Sequence, residues 1–202
     1  MPISMFKILN TRNSITMHRG IRADEVLDLD CHTAALRIIP KGLEIDVVSE
    51  VSVEHDTVWE NLTTYFLPGM FGQSEPAYIP PKLEPLAHAP IINEWFLRAK
   101  DRFRFARISG DTNGIHYVSV YARMLGFQRD FAQPIRVVAK CVDCLPERRV
   151  EKPLRLDFAL RGPVYYESKL VLRSITTDNT SRFDLYCADN KRPCICGTLS
   201  AV

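Results

Sequence analysis

Residues 134–160 read PIRVVAKCVDCLPERRVEKPLRLDFAL, a helical run followed closely by a strand, and that succession decides the fold class. Pro134 suits a first helical position, where its missing N–H would have no partner anyway, and Pro146 stops the run. Between them Ile135, Val138, Ala139, Val142 and Leu145 recur at helical spacing, which predicts a helix buried along the side those five residues share. Leu154, Leu156, Phe158 and Leu160 then alternate with Arg155, Asp157 and Ala159, the period-two pattern of a strand with one covered face. Downstream, ESKLVLRSIT (167–176), RFDLYCA (182–188) and CICGTLS (194–200) predict three more strands, the last two joined across Asp189, Asn190 and Lys191. The expectation is an α+β fold in which a long antiparallel sheet wraps one central helix.

Upstream, HTAALRII (32–39), GLEIDVVSEVSVEHD (42–56) and TVWENLTTYFL (57–67) read as a three-stranded meander, with hairpin turns at Lys41–Gly42 and His55–Asp56. Pro68 to Pro90 then brings Gly69, Gly72, Pro76, Pro80, Pro81, Pro85 and Pro90, too many breakers for regular structure. The resulting division is a strand-rich N-terminal part over 1–72, a proline-rich linker over 73–92 and a C-terminal unit over 93–202.

The chain of 202 residues is 46% hydrophobic, enough for one large or two small cores. Twenty-six basic against 24 acidic residues leave a formal charge of +2, too small and too mixed to point to nucleic acid or an anionic membrane. No stretch approaches the roughly 18 apolar residues of a membrane span, and the start lacks a secretory pattern, so a cytoplasmic location is the expectation. Six cysteines include a CxxC at Cys141 and Cys144 and a CxC at Cys194 and Cys196. Both pairs sit in apolar patterns without an accompanying histidine, which favours buried free thiols over zinc, and neither metal nor cofactor is expected.

The chemistry-bearing stretch is FARISGDTNGIHYVSVYA (105–122). Asp111 and His116 lie five residues apart around a Gly, Asn and Gly turn, and a carboxylate beside an imidazole can share one water and move protons near neutral pH. The same residues also make ordinary surface turns. A short helix, SVYARMLGF (119–127), follows.

With this turn and the helix-in-sheet pattern together, the chain resembles the MaoC-like (R)-specific enoyl-CoA hydratases and dehydratases of the hotdog fold. The family motif runs aromatic, spacer, aliphatic, Ser, Gly, Asp, any residue, Asn, Pro, aliphatic, His, five residues and a small residue. Phe105, Ile108, Ser109, Gly110, Asp111, Asn113, Ile115, His116 and Ala122 stand at those positions, and Gly114 stands where the family has proline. The N-terminal part is similar to the non-catalytic half of double-hotdog members, with no room before NSITMHRG for that half's first strand and central helix, so it reads as an incomplete second hotdog.

The resemblance implies that Asp111 orients or deprotonates a water and that His116 exchanges the proton beside the carbonyl of a trans-2-enoyl or (R)-3-hydroxyacyl thioester, carried on coenzyme A or acyl carrier protein. It implies substrate-binding places for Ser109, Asn113, Gly114, Gln133 and Ile135, and no nucleic-acid or membrane partner. In the family a glycine after a histidine opens the central helix and gives a backbone N–H to the thioester oxygen; here Gln133 and Pro134 stand there, leaving Ile135 or the Gln133 amide as the donor. Arg102, Arg104, Arg107, Arg123 and Arg129 surround the motif and could meet carrier phosphates or stay solvated. Hotdog sites lie where two units meet, so a homodimer or higher oligomer is expected. Two further readings stand beside the hydratase: an acyl-CoA thioesterase, and a non-catalytic or weakly active acyl-CoA binding subunit.

Overall fold

The computed structural model describes residues 8–74, 84–146, 153–187 and 190–202. Pro76, Pro80 and Pro81 of the proline-rich stretch, and Asp189 of the expected last turn, lie outside the described residues. Nine strands follow in chain order: β1 Leu9–Met17, β2 Asp28–Ile39, β3 Gly42–Val53, β4 Asp56–Pro68, β5 Ile91–Leu97, β6 Leu154–Leu160, β7 Ser168–Thr177, β8 Thr180–Cys187 and β9 Ile195–Ala201. Three helices, α1 Arg102–Ser109, α2 Ser119–Met124 and α3 Pro134–Asp143, all fall between β5 and β6. None is long and apolar enough to cross a membrane.

The strands form one antiparallel sheet in the order β2-β3-β4-β1-β6-β9-β8-β7-β5. The meander β2-β3-β4 is as the alternation predicts; Glu54 and His55, with φ of 50° and 77°, make the β3–β4 turn in the left-handed region that two-residue hairpins need. The two groups of strands join through β1 and β6, paired from Arg12↔Ala159 to Met17↔Leu154, so the sheet runs without a break from the N-terminal group into the C-terminal one. Strand β5 and helix α1 are elements that the sequence pattern did not announce.

Helix α3 lies on the inner face of the C-terminal group, where Val137, Val138, Cys141 and Leu145 share one core with Leu170, Leu172, Phe183, Leu185 and Ile195. This corrects the expected stripe: Ile135 is 44% exposed and Ala139 is exposed too. The run is apolar on two adjacent sides, so spacing alone could not choose between them; the sheet chose the side with Val137 and Cys141. Burying each large apolar side chain contributes roughly 1.5–3 kcal/mol, which makes this core the main source of stability in the C-terminal group. A Cβ on Gly197 would stand 2.4 Å from Phe183 Cζ, so the glycine is what lets that fully buried ring lie on β9.

The described part of the connection before β5 is irregular but pinned to the outer face. Asp184 on β8 accepts the Leu86 N–H at 2.8 Å, Arg182 donates to the Glu84 carbonyl at 3.0 Å, and Arg173 donates to the Ala89 carbonyl. Cys141, Cys187, Cys194 and Cys196 are buried free thiols, Cys144 is half-buried and Cys31 is exposed.

Candidate active site

The segment from α1 to α3 hangs over one end of the central helix and carries the dyad. Helix α1 ends in a left-handed cap: Gly110 has φ +70° and its N–H bonds the Ala106 carbonyl at 2.9 Å. The turn beyond is built by its own side chains. Ser109 Oγ donates to the Phe105 carbonyl at 2.9 Å and accepts the Asp111 N–H at 3.2 Å; Asp111 Oδ1 accepts the Asn113 N–H at 3.0 Å; Asn113 Oδ1 accepts the Ile115 N–H at 3.2 Å and so caps the 3-10 turn Gly114–His116. These are local bonds that Ser, Asp and Asn offer to nearby main chain, which is why the sequence folds this way here.

With Oδ1 occupied by the turn, Asp111 Oδ2 faces His116 Nε2 at 3.5 Å. The imidazole is buried, whereas the carboxylate is about a third exposed, at 34%. On the other side of the ring Nδ1 lies 2.9 Å from the Phe131 carbonyl. A carbonyl only accepts, so Nδ1 carries the hydrogen and, in the neutral ring, Nε2 presents a lone pair toward the carboxylate. Burial pushes the His116 pKa down; the Phe131 carbonyl and the Asp111 carboxylate push it up, and the net shift is below the ordinary 6.5. Two acceptors 3.5 Å apart are held together by a shared proton or by a water that donates to both.

Three residues that sequence reasoning missed fix this arrangement. Phe131 supplies the carbonyl and sets its ring edge-on against the imidazole, 5.0 Å between centroids. Tyr117 donates to the main-chain carbonyl of Asp111 at 2.5 Å, and the Gln133 amide donates in turn to Tyr117. Tyr166, two residues before β7, donates to Gln133 Oε1 at 3.4 Å. Burial raises the pKa of both phenols, that of Tyr166 to about 12, so they stay protonated and able to donate. The chain Tyr166–Gln133–Tyr117–Asp111 therefore ties the dyad loop to the N-cap of α3. Tyr117 adjoins His116 in sequence and could have been noticed; nothing in the sequence points to Tyr166.

Gly114 has a packing reason as well: a Cβ there would stand 3.0 Å from the Tyr121 ring, so the ring occupies space that a proline at this position would fill. At the start of α3, Pro134 brings no N–H, and the free main-chain donors of the first turn begin at Ile135. Gln133 is 1% exposed, its two amide atoms engaged by tyrosines. Of the surrounding arginines, Arg102 pairs with Asp130 at 2.9 Å, Arg123 donates to the Gln128 carbonyl, Arg129 lies over the Tyr165 ring, and Arg104 and Arg107 are exposed. Asp130 also accepts from Ser119, so one buried carboxylate fastens the starts of α1 and α2. No group of three or more metal-ligating side chains occurs among the described residues.

No family model matches the chain. The 3-hydroxyacyl-thioester dehydratase X of Mycobacterium tuberculosis is 30% identical over 129 residues, a match that takes in 62% of this chain and 45% of that protein. The chain thus spans less than half the length of that curated relative. The crystal structure of HtdX from Mycobacterium tuberculosis has a TM-score of 0.82 at 22% identity, covering 100% of this chain and 78% of its own. A MaoC-like dehydratase from Phytophthora capsici gives a TM-score of 0.82 at 15% identity over 100% of this chain and 74% of its own. The architecture is therefore the hotdog fold that these dehydratase structures share along the whole chain, and over 129 residues the sequence is similar to that of a dehydratase as well.

Proposed function

We propose that the chain carries a hydratase and dehydratase site that interconverts trans-2-enoyl and (R)-3-hydroxyacyl thioesters. The observation that carries this reading is the 3.5 Å gap between Asp111 Oδ2 and His116 Nε2, with Nδ1 already committed to the Phe131 carbonyl. A water seated over the pair, beside rather than between its two atoms, donates one hydrogen to the carboxylate and one to the imidazole, leaving an oxygen lone pair for C3 of the enoyl chain. As the C3–O bond forms, one water proton passes to the pair and is returned by His116 to C2, so water adds across the double bond and both groups end as they began. A depressed His116 pKa suits the work, because the ring must start neutral.

The enolate oxygen that develops on the thioester needs a donor, and Ile135 N–H, the first available on α3, is proposed for it. Gln133 bounds the same end of the helix, while Ser109, Asn113 and Gly114 act on the substrate through the turn they build. The carrier is coenzyme A or acyl carrier protein, and the enzyme is read as cytoplasmic and at least dimeric; light scattering on the purified chain checks the last point. The reading of a weakly active binding subunit rests on Pro134, which removes one donor.

Loss of enoyl absorbance with crotonyl-CoA, with free thiol followed in parallel, separates these. Hydration abolished by Asp111→Asn supports the proposal, thiol release supports a thioesterase, and binding without either reaction supports the subunit.

A further inference from the structure

Strands β2, β3, β4 and β1 sort their charges to one side. Between the cross-strand rows Leu29–Val51–Trp59 and Leu36–Ile45–Tyr65 no charged side chain stands on the inner face, the face that α3 covers farther along the sheet. On the outer face Arg12 and Arg37 pair with Glu44, and Arg37 pairs with Asp46 as well. An antiparallel sheet with one wet face keeps its charges there, so the outer face is the one built for water. Yet the inner face is open too: Leu29 is 70% and Leu36 59% exposed, and Cys31 between them is exposed. Contiguous apolar surface of this kind marks an interaction site.

The pattern of the face says what covers it. Its apolar rows lie at the two ends, and its middle rows, Cys31–Ser49–Asn61 and Thr33–Val47–Thr63, are mostly small and polar. That middle is bonded within itself: Ser49 donates to Cys31 Sγ at 3.4 Å, Asn61 Nδ2 to Thr63 Oγ1 at 2.8 Å and Thr63 to Asn13 at 3.0 Å, which lowers the cost of taking it out of water. Where α3 packs, the sheet instead offers the Phe158 and Phe183 rings to the helix. A second copy turned over by a twofold axis lays apolar ends on apolar ends and polar middle on polar middle, with no charge buried. Strands of 9 to 13 residues, about 4.8 Å apart and rising about 3.3 Å per residue, make a flat area of roughly 600 Å² per copy, so two copies bury more than the roughly 1,000 Å² that a specific interface needs. We propose that a second copy of this chain packs on this face, sheet against sheet. The polar middle holds the affinity in the micromolar range, so the dilute chain is a monomer with the face bare. The proposal gives the dimer of the preceding reading its surface and does not depend on the chemistry at Asp111 and His116.

Cys31 alone of the six cysteines is exposed, so the chain carries its own reporter on this face. Analytical ultracentrifugation of the whole chain from about 1 μM to about 200 μM, with the rate of maleimide labelling at Cys31 followed in parallel, tests the proposal. A monomer–dimer transition is expected, with labelling slowed at least threefold across it. The double variant Leu29→Lys, Leu36→Lys, both exposed positions, is expected to stay monomeric over the same range, with a labelling rate independent of concentration and an unchanged thermal midpoint at the dilute end. Leu62→Lys, on the outer face, is expected to dimerise as the parent chain does. So is Asp111→Asn, which tells a failed hydratase reading from a failed interface. A monomer at every concentration overturns the proposal. A dimer that survives the double variant also overturns it, since that dimer forms on another surface, and so does one that leaves Cys31 labelling unchanged.

Discussion

The two groups of strands in the sheet present the same face to different surroundings. One cross-strand row runs Thr33–Val47–Thr63–Asn13–Phe158–Gly197–Phe183–Ser174, from the N-terminal edge region through the β1–β6 junction into the C-terminal group. On the C-terminal side Phe158 and Phe183 are buried under α3; across the junction the row turns to Asn13 and Thr63, which bond each other at 3.0 Å. Farther out on that face Leu36 is 59% and Leu29 70% exposed. Among the described residues no helix covers the N-terminal group, and its stability comes from ladders and half-buried pairs. A sheet of similar pairing thus becomes a core where a helix fills it and a frame where none does.

The sharpest test of that contrast is chemical. Asp111→Asn and His116→Gln are expected to lower hydration of crotonyl-CoA about 100- to 10,000-fold with little change in thermal midpoint, while Leu36→Ala in the N-terminal group leaves the rate alone. A comparable loss from Leu36→Ala would place chemistry on the frame and break the comparison.

Stability comes next. Phe183→Ala is expected to cost about 3–5 kcal/mol in urea unfolding, and Tyr65→Ala, half-buried in the N-terminal group, about 1–2 kcal/mol. Equal costs would mean that the N-terminal face is covered in solution.

Glycines give a finer comparison. Gly197→Ala drives a Cβ to 2.4 Å from a Phe183 ring that has nowhere to go, at about 1–3 kcal/mol. Gly42→Ala meets the Leu67 carbonyl oxygen at 2.2 Å and the Phe66 ring at 2.6 Å, and that main chain is held in the β3–β4 ladder, so the cost is expected to be at least as large.

The smallest effect is a slope with pH. The folded pKa of His116 lies below the ordinary 6.5, so as pH falls the unfolded chain takes up its proton first. Stability is therefore full above about pH 6.5, declines toward the folded pKa and is level below it. His116→Gln is expected to remove that decline from the midpoint-against-pH curve; an unchanged curve would show that the buried imidazole is not its source.

Much of the fold was legible. The strands β2, β3, β4, β6, β7, β8 and β9 and the helix α3 announce themselves because alternation and helical spacing are local patterns, and the turn with Asp111 and His116 is spelled out by residues that bond their own neighbours. What lay beyond reach depends on segments far apart in the chain. The edge strand β5 exists because β7 pairs with it, from Ile91↔Arg173 to Leu97↔Ser168. The side of α3 that is buried was set by the sheet laid against it, since Val137 and Ile135 are equally apolar neighbours in sequence.

By itself, then, the sequence determined a central helix, a long antiparallel sheet and a carboxylate beside an imidazole, because periodicity and turn chemistry act over a few residues. Local turn chemistry also takes Asp111 Oδ1 and leaves Oδ2 to face the ring. Tertiary structure decided the rest: the Phe131 carbonyl takes Nδ1, and Gln133 and Tyr166 hold the loop to α3 through Tyr117, a convergence no local pattern encodes.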